Sequence, residues 1–139
     1  MKRRYPGESL QLVEMLCTDK IEFGGNITSM NTREQIHALS EEMLENLGKL
    51  VAVDSQLGTP SEGKPFGEGP AEALEIGLEI ARELGFKTVN LDNYCGYAEM
   101  GEGEEIVGIA GHLDIVPVGG DWTYDPFKLT RDGDHVYGR

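Results

Sequence analysis

From Thr32 onward the apolar positions Ile36, Leu39, Met43, Leu47 and Leu50 recur at helical spacing. Thr32 with Gln35 three residues later reads as a capping box, so the pattern predicts a helix from about Arg33 to Ala52. Residues 53–70 carry Gly58, Pro60, Gly63, Pro65, Gly67, Gly69 and Pro70, a density of breakers that predicts a loop. Pro70 suits a first helical position. Ala71, Leu74, Leu78, Ala81 and Leu84 then make one apolar face of a second helix, which Gly85 stops.

At Phe86 the period changes from helical to alternating. Lys87 to Leu91 and Tyr94 to Met100 read as strands, the second turning at Gly101-Glu102-Gly103. Ile106 to Leu113 is an almost unbroken apolar run, the pattern of a central strand buried on both faces. Phe127 to Thr130 and His135 to Tyr137 flank Arg131-Asp132-Gly133-Asp134, whose Asp-Gly pair suits a hairpin turn. Helices followed by strands imply an α/β layer architecture, a sheet covered by helices. Residues 1–29 show neither period and are read as an upstream extension, leaving 30–139 as the organised part. A well-packed 1–29 segment would overturn that division.

Composition narrows the possible functions. With 25 acidic against 12 basic residues the formal net charge is -13, which repels phosphate backbones and anionic membrane surfaces. Nucleic-acid and membrane partners are therefore not expected. The basic start Met1–Arg4 resembles a secretory leader, but Glu14 interrupts the apolar stretch Leu10–Cys17 and no small-residue cleavage site follows. Cys17 and Cys95 have neither metal-ligand nor redox spacing, so they are read as ordinary, partly buried thiols of a reducing cytoplasm.

Three places could carry chemistry. Gly67-Glu68-Gly69 opens a helix as a dinucleotide fingerprint would, but position 72 is Glu, no strand precedes it, and Glu68 would repel a pyrophosphate. Glu41, Glu42, Glu45, Glu72, Glu75, Glu79 and Glu83 have the spacing of solvated helix faces. The third place is Gly111-His112-Leu113-Asp114-Ile115-Val116-Pro117, at the end of the expected buried strand, where α/β sheets gather ligands. In an extended chain His112 and Asp114 point to the same side, so the carboxylate can orient an imidazole that holds a metal. His37 and His135 have no such companion in sequence.

The residues His112 to Gly119, then Trp122, Asp125-Pro126-Phe127 and Tyr137-Gly138-Arg139, resemble the first metal motif of the acetylornithine deacetylase/succinyl-diaminopimelate desuccinylase superfamily. Pro65 to Leu74, Leu84-Gly85-Phe86-Lys87 and Gly96 to Gly101 are similar to its bacterial Xaa-His (β-Ala-Xaa, carnosinase-like) dipeptidase branch. The resemblance implies the N-terminal part of a zinc-peptidase catalytic domain, an incomplete α/β unit with helices packed on a mixed sheet. It implies a metallo-dipeptidase with two zinc ions, for which manganese or cobalt could substitute, and a small dipeptide as substrate. His112 is implied to be a metal ligand and Asp114 catalytic, as the group that orients it. The general base, the remaining ligands and a second domain have no counterpart up to Arg139. An N-acyl amino acid deacylase of the same superfamily, or a non-catalytic truncated homologue, is the alternative.

Overall fold

The computed structural model describes residues 31–139. Expectations for 1–29, including the upstream extension and Cys17, lie outside the described residues. The chain divides into two compact units, one ending at Glu41 and one running from Glu42 to Arg139.

The expected first helix is two helices, α1 (Thr32–Ala38) and α2 (Ser40–Val51). Its start is one residue earlier than the sequence suggests. Asn31 is the N-cap; its side chain accepts from the Glu34 amide at 3.0 Å while the Glu34 carboxylate accepts from the Asn31 amide at 3.1 Å. The break falls at Leu39, whose amide is shared between the carbonyls of Gln35 and Ile36, both at 3.2 Å. Ser40 adds a hydroxyl donated to the Ile36 carbonyl, a local bond that competes with the regular ladder and bends helices.

The apolar stripe predicted helix over this stretch but as one element, and its members Ile36, Leu39, Met43 and Leu47 are exposed. Burial begins only at the last turn of α2. There Val51 lies under the backbone of Gly138, where a Cβ would come within 2.8 Å of Val51 Cγ1, and Gly48 faces Leu129.

The loop that follows is irregular, as its glycines and prolines dictate. It closes through Gly58 N–H to Phe66 O at 2.9 Å, and a Cβ on Gly67 would meet Gly58 Cα at 2.8 Å, so two backbones touch where no side chain fits. Gly67, at φ +95°, caps α3 (Glu68–Glu83), which starts before Pro70 and ends at Leu84 and the left-handed Gly85. Ala71, Ala73 and Leu78 are buried on its inner face, which packs across β1 (Lys87–Leu91) and β2 (Cys95–Glu99). These antiparallel strands pair from Lys87 with Glu99 to Leu91 with Cys95. Their turn uses two left-handed residues, Asp92 and Asn93, which tolerate positive φ better than other side chains do. β3 (Thr130–Asp132) and β4 (His135–Tyr137) form a second antiparallel pair around Gly133-Asp134. β3 thus sits nearer the turn than the Phe127–Thr130 expected.

The α/β class is as the sequence implies, but among the described residues its sheet component is two small antiparallel pairs rather than one mixed sheet. The largest departure is Ile106 to Leu113, which is not a buried central strand. Ile106, Val107 and Ile109 are 92%, 81% and 98% exposed, and no strand pairs with the run among the described residues. An apolar run becomes a buried strand only when ladder partners and covering layers exist, and it finds neither among the described residues. Order resumes at Leu113: its side chain lies against Gly77 of α3, and Gln56 and Ile115 make an isolated parallel bridge.

Candidate functional site

His112 and Asp114 stand where the unpaired run regains contact with the rest of the unit, rather than at a strand end in a sheet crevice. Their side chains are 82% and 67% exposed. His112 Nδ1 lies 3.0 Å from the backbone carbonyl oxygen of Asp114 and 3.3 Å from its Oδ1. A carbonyl oxygen can only accept, so Nδ1 carries the proton and donates it. In the neutral ring the other nitrogen, Nε2, then carries the lone pair. That tautomer is the one a metal-binding imidazole needs, with the donating nitrogen fixed by an oxygen and the bare nitrogen presented outward.

The spacing argument therefore brings the two residues together, with the backbone oxygen of Asp114 at shorter range than the carboxylate. The pair borders a cavity of about 750 Å³ whose wall includes Leu50, Phe66, Leu74 and Tyr94. Phe66 and Tyr94 meet edge to face with ring centroids 5.5 Å apart. The cavity is mainly apolar, and at the pair it offers one imidazole and one carboxylate.

Two residues do not make a zinc site. Among the described residues no group of three His, Cys, Asp or Glu side chains converges in a way that could hold a metal, and a zinc site takes at least three protein ligands. His135 lies instead beside Tyr137 in the β3–β4 hairpin, with ring centroids 6.3 Å apart. The donor chemistry fits one ligand and its orienting partner.

No protein-family profile matches the chain. Individual proteins do. The Beta-Ala-Xaa dipeptidase of Lactobacillus delbrueckii subsp. lactis is 40% identical over 113 residues, 79% of this chain and 24% of that protein. YtjP of Bacillus subtilis strain 168, provisionally named a dipeptidase, is 36% identical over 112 residues, again 79% and 24%. SH1171 of Staphylococcus haemolyticus, provisionally named likewise, is 31% identical over 109 residues, 77% and 23%. The chain matches the N-terminal fragment of a dipeptidase. It spans about a quarter of the length of these relatives.

Other features of the described residues bear on the remaining sequence candidates. Glu75 and Glu79 pair with Arg82, and Glu83 pairs with Lys49, all at exposed positions, so these carboxylates are solvated helix faces as expected. Glu68 pairs with Lys64 across one turn, and the ammonium hydrogen bond holds its carboxyl below the usual carboxylate range. Cys95 is exposed and free, more open than the partly buried thiol anticipated. No helix among the described residues is long and apolar enough to cross a membrane.

Sequence reasoning missed Ser55. It is 2% exposed, and its hydroxyl donates to the Leu113 carbonyl at 2.8 Å, within the His112–Asp114 segment. The two residues are 58 positions apart. A serine inside a glycine- and proline-rich loop looks like any other polar loop residue, so no local signal could mark it.

Proposed function

We propose that the whole protein is a metal-dependent dipeptidase acting on small dipeptides of the Xaa-His or β-Ala-Xaa type. His112 would hold one zinc ion through Nε2, and Asp114 would orient its ring. The observation that carries this reading is the His112–Asp114 contact at Nδ1, which in the neutral ring leaves the lone pair on Nε2 for a metal. The similarity to a Beta-Ala-Xaa dipeptidase supports the substrate class. A pair of bound zinc ions would supply a hydroxide at neutral pH and polarise the scissile carbonyl.

Residues 31–139 bring no third ligand to His112. The 139-residue chain alone is therefore expected to bind zinc weakly and to hydrolyse dipeptides negligibly. In the whole protein, His112→Ala should lower both bound zinc and turnover. Asp114→Ala should cost about 10- to 100-fold in activity or metal affinity, the usual effect of losing an orienting partner. Metal analysis and a dipeptide hydrolysis assay on the two variants test this. Full zinc content and unchanged turnover in His112→Ala would refute the assignment, and stoichiometric tight zinc in the 139-residue chain would show that further ligands lie within it.

A further inference from the structure

Ser55 is the buried polar residue among the described residues, and two of its polar contacts, through its hydroxyl and its carbonyl, reach the same three-residue stretch. Its hydroxyl donates to the carbonyl of Leu113 at 2.8 Å, and its own carbonyl accepts from the amide of Ile115 at 3.3 Å. Those two contacts fall on the two peptide units that flank Asp114. We propose that Ser55 is the positioning residue of the His112–Asp114 pair, setting the imidazole tautomer through the backbone of residues 113–115.

The physical reason lies in the rigidity of the peptide unit. In a trans peptide the carbonyl and the following N–H lie in one plane and point in opposite directions. Anchoring the Ile115 amide to Ser55 therefore turns the Asp114 carbonyl the other way, where His112 Nδ1 donates to it at 3.0 Å. The hydroxyl bond to Leu113 O fixes the preceding peptide plane, so the φ and ψ of Asp114 are held from both sides. The Ser55 backbone bond would be made by any residue type; the hydroxyl bond needs Ser or Thr. Ser55 is itself well anchored. Its amide donates to Val53 O at 3.0 Å, and Gly69 of α3 packs directly on the neighbouring Asp54 carbonyl. An exposed His–Asp contact is weak by itself, because solvent competes for both groups. A buried serine two bonds away supplies the order that the exposed pair lacks.

This proposal rests on reading His112 as a metal-binding imidazole, but its test does not require metal. The ratio of Nδ1–H to Nε2–H tautomer at His112 can be measured by nitrogen-15 NMR of the imidazole at a pH where the rings are neutral. The His112→Gln spectrum assigns the signals. Ser55→Ala should lower that ratio about fivefold, the factor corresponding to one net hydrogen bond, and Ser55→Thr should restore most of it. Val53→Ala, which truncates a buried side chain two residues away without touching the pair, should leave the ratio unchanged. An unchanged ratio in Ser55→Ala, or an equal fall in Val53→Ala, would overturn the proposal. If Ser55→Ala does not fold, Ser55→Cys carries the test: its weak donor should give an intermediate ratio, and a wild-type ratio would overturn the idea. Unaltered zinc affinity in the whole protein carrying His112→Ala would instead refute the metal role and leave the tautomer result standing.

Discussion

Two glycines of α3 show how much a single added carbon can differ in cost. A Cβ on Gly69 would overlap the carbonyl oxygen of Asp54, a backbone atom that cannot retreat without dislodging Ser55. A Cβ on Gly77 would come within 2.8 Å of Leu113 Cδ1, the far end of a side chain that can rotate away. Gly69→Ala should therefore destabilise the fold by about 2 kcal/mol or more, as overpacking against a fixed neighbour does. Gly77→Ala should stay within about 1 kcal/mol of the parent, because the gain in helix propensity offsets the small adjustment of Leu113. Urea unfolding midpoints measured side by side decide the matter, and equal losses at the two sites would show that the backbone contact is not the cause.

The hairpin β1–β2 depends on Asn93 in the same way that α3 depends on its glycines. Asn93 has φ +57°, its backbone amide donates to Asn90 Oδ1 at 2.8 Å, its side-chain Oδ1 accepts from Asn90 Nδ2 at 2.8 Å, and its Nδ2 donates to Gly63 O at 2.8 Å. Asn93→Ala loses the side-chain bonds and keeps a strained left-handed residue. Asn93→Gly loses the bonds but relaxes the strain, so it should be the milder variant by about 1 kcal/mol. Thermal unfolding of the two variants is the check; an alanine variant as stable as the glycine one would remove strain from the account.

The same hairpin shows what the sequence made legible among the elements. Lys87 to Leu91 was readable because alternation and flanking breakers are local signals, and Gly85 as a helix stop is another. The break at Leu39 was not readable, since it depends on how one amide is shared between two carbonyls. Ile106 to Leu113 has the composition of a central strand, but strand formation needs partners, and a composition says nothing about whether they are present. His112 and Asp114 came together as their spacing suggested. Ser55 stayed hidden because its meaning comes entirely from a residue 58 positions away.

At the scale of the whole molecule, an exposed apolar run lies on a strongly acidic chain, Ile106, Val107 and Ile109 on one side of the balance and a net charge of -13 on the other. Like charges keep copies apart until salt screens them. Raising the ionic strength should then promote self-association through the run, and Ile109→Glu should suppress it. Since Ile109 is 98% exposed, that substitution should leave stability within about 0.5 kcal/mol. Sedimentation at low and high salt measures the first effect and urea unfolding the second. Salt-induced association that persists unchanged in Ile109→Glu would place the contact elsewhere.

The single bond from the Ile115 amide to Ser55 also divides this part of the chain by the rate at which its hydrogens leave. The amides of Val107 to Ala110 have no backbone acceptor among the described residues, whereas that of Ile115 is held at 3.3 Å by the carbonyl of a buried residue. In heavy water the first group should exchange near the rate of a free peptide, and Ile115 should lag by about tenfold or more, because its exchange waits on an opening of the Ser55 contact. Between them, the amides of Gly111 to Asp114 should show a graded slowing, so that the ordering of the histidine's surroundings becomes a rate read along the five consecutive residues Gly111 to Ile115.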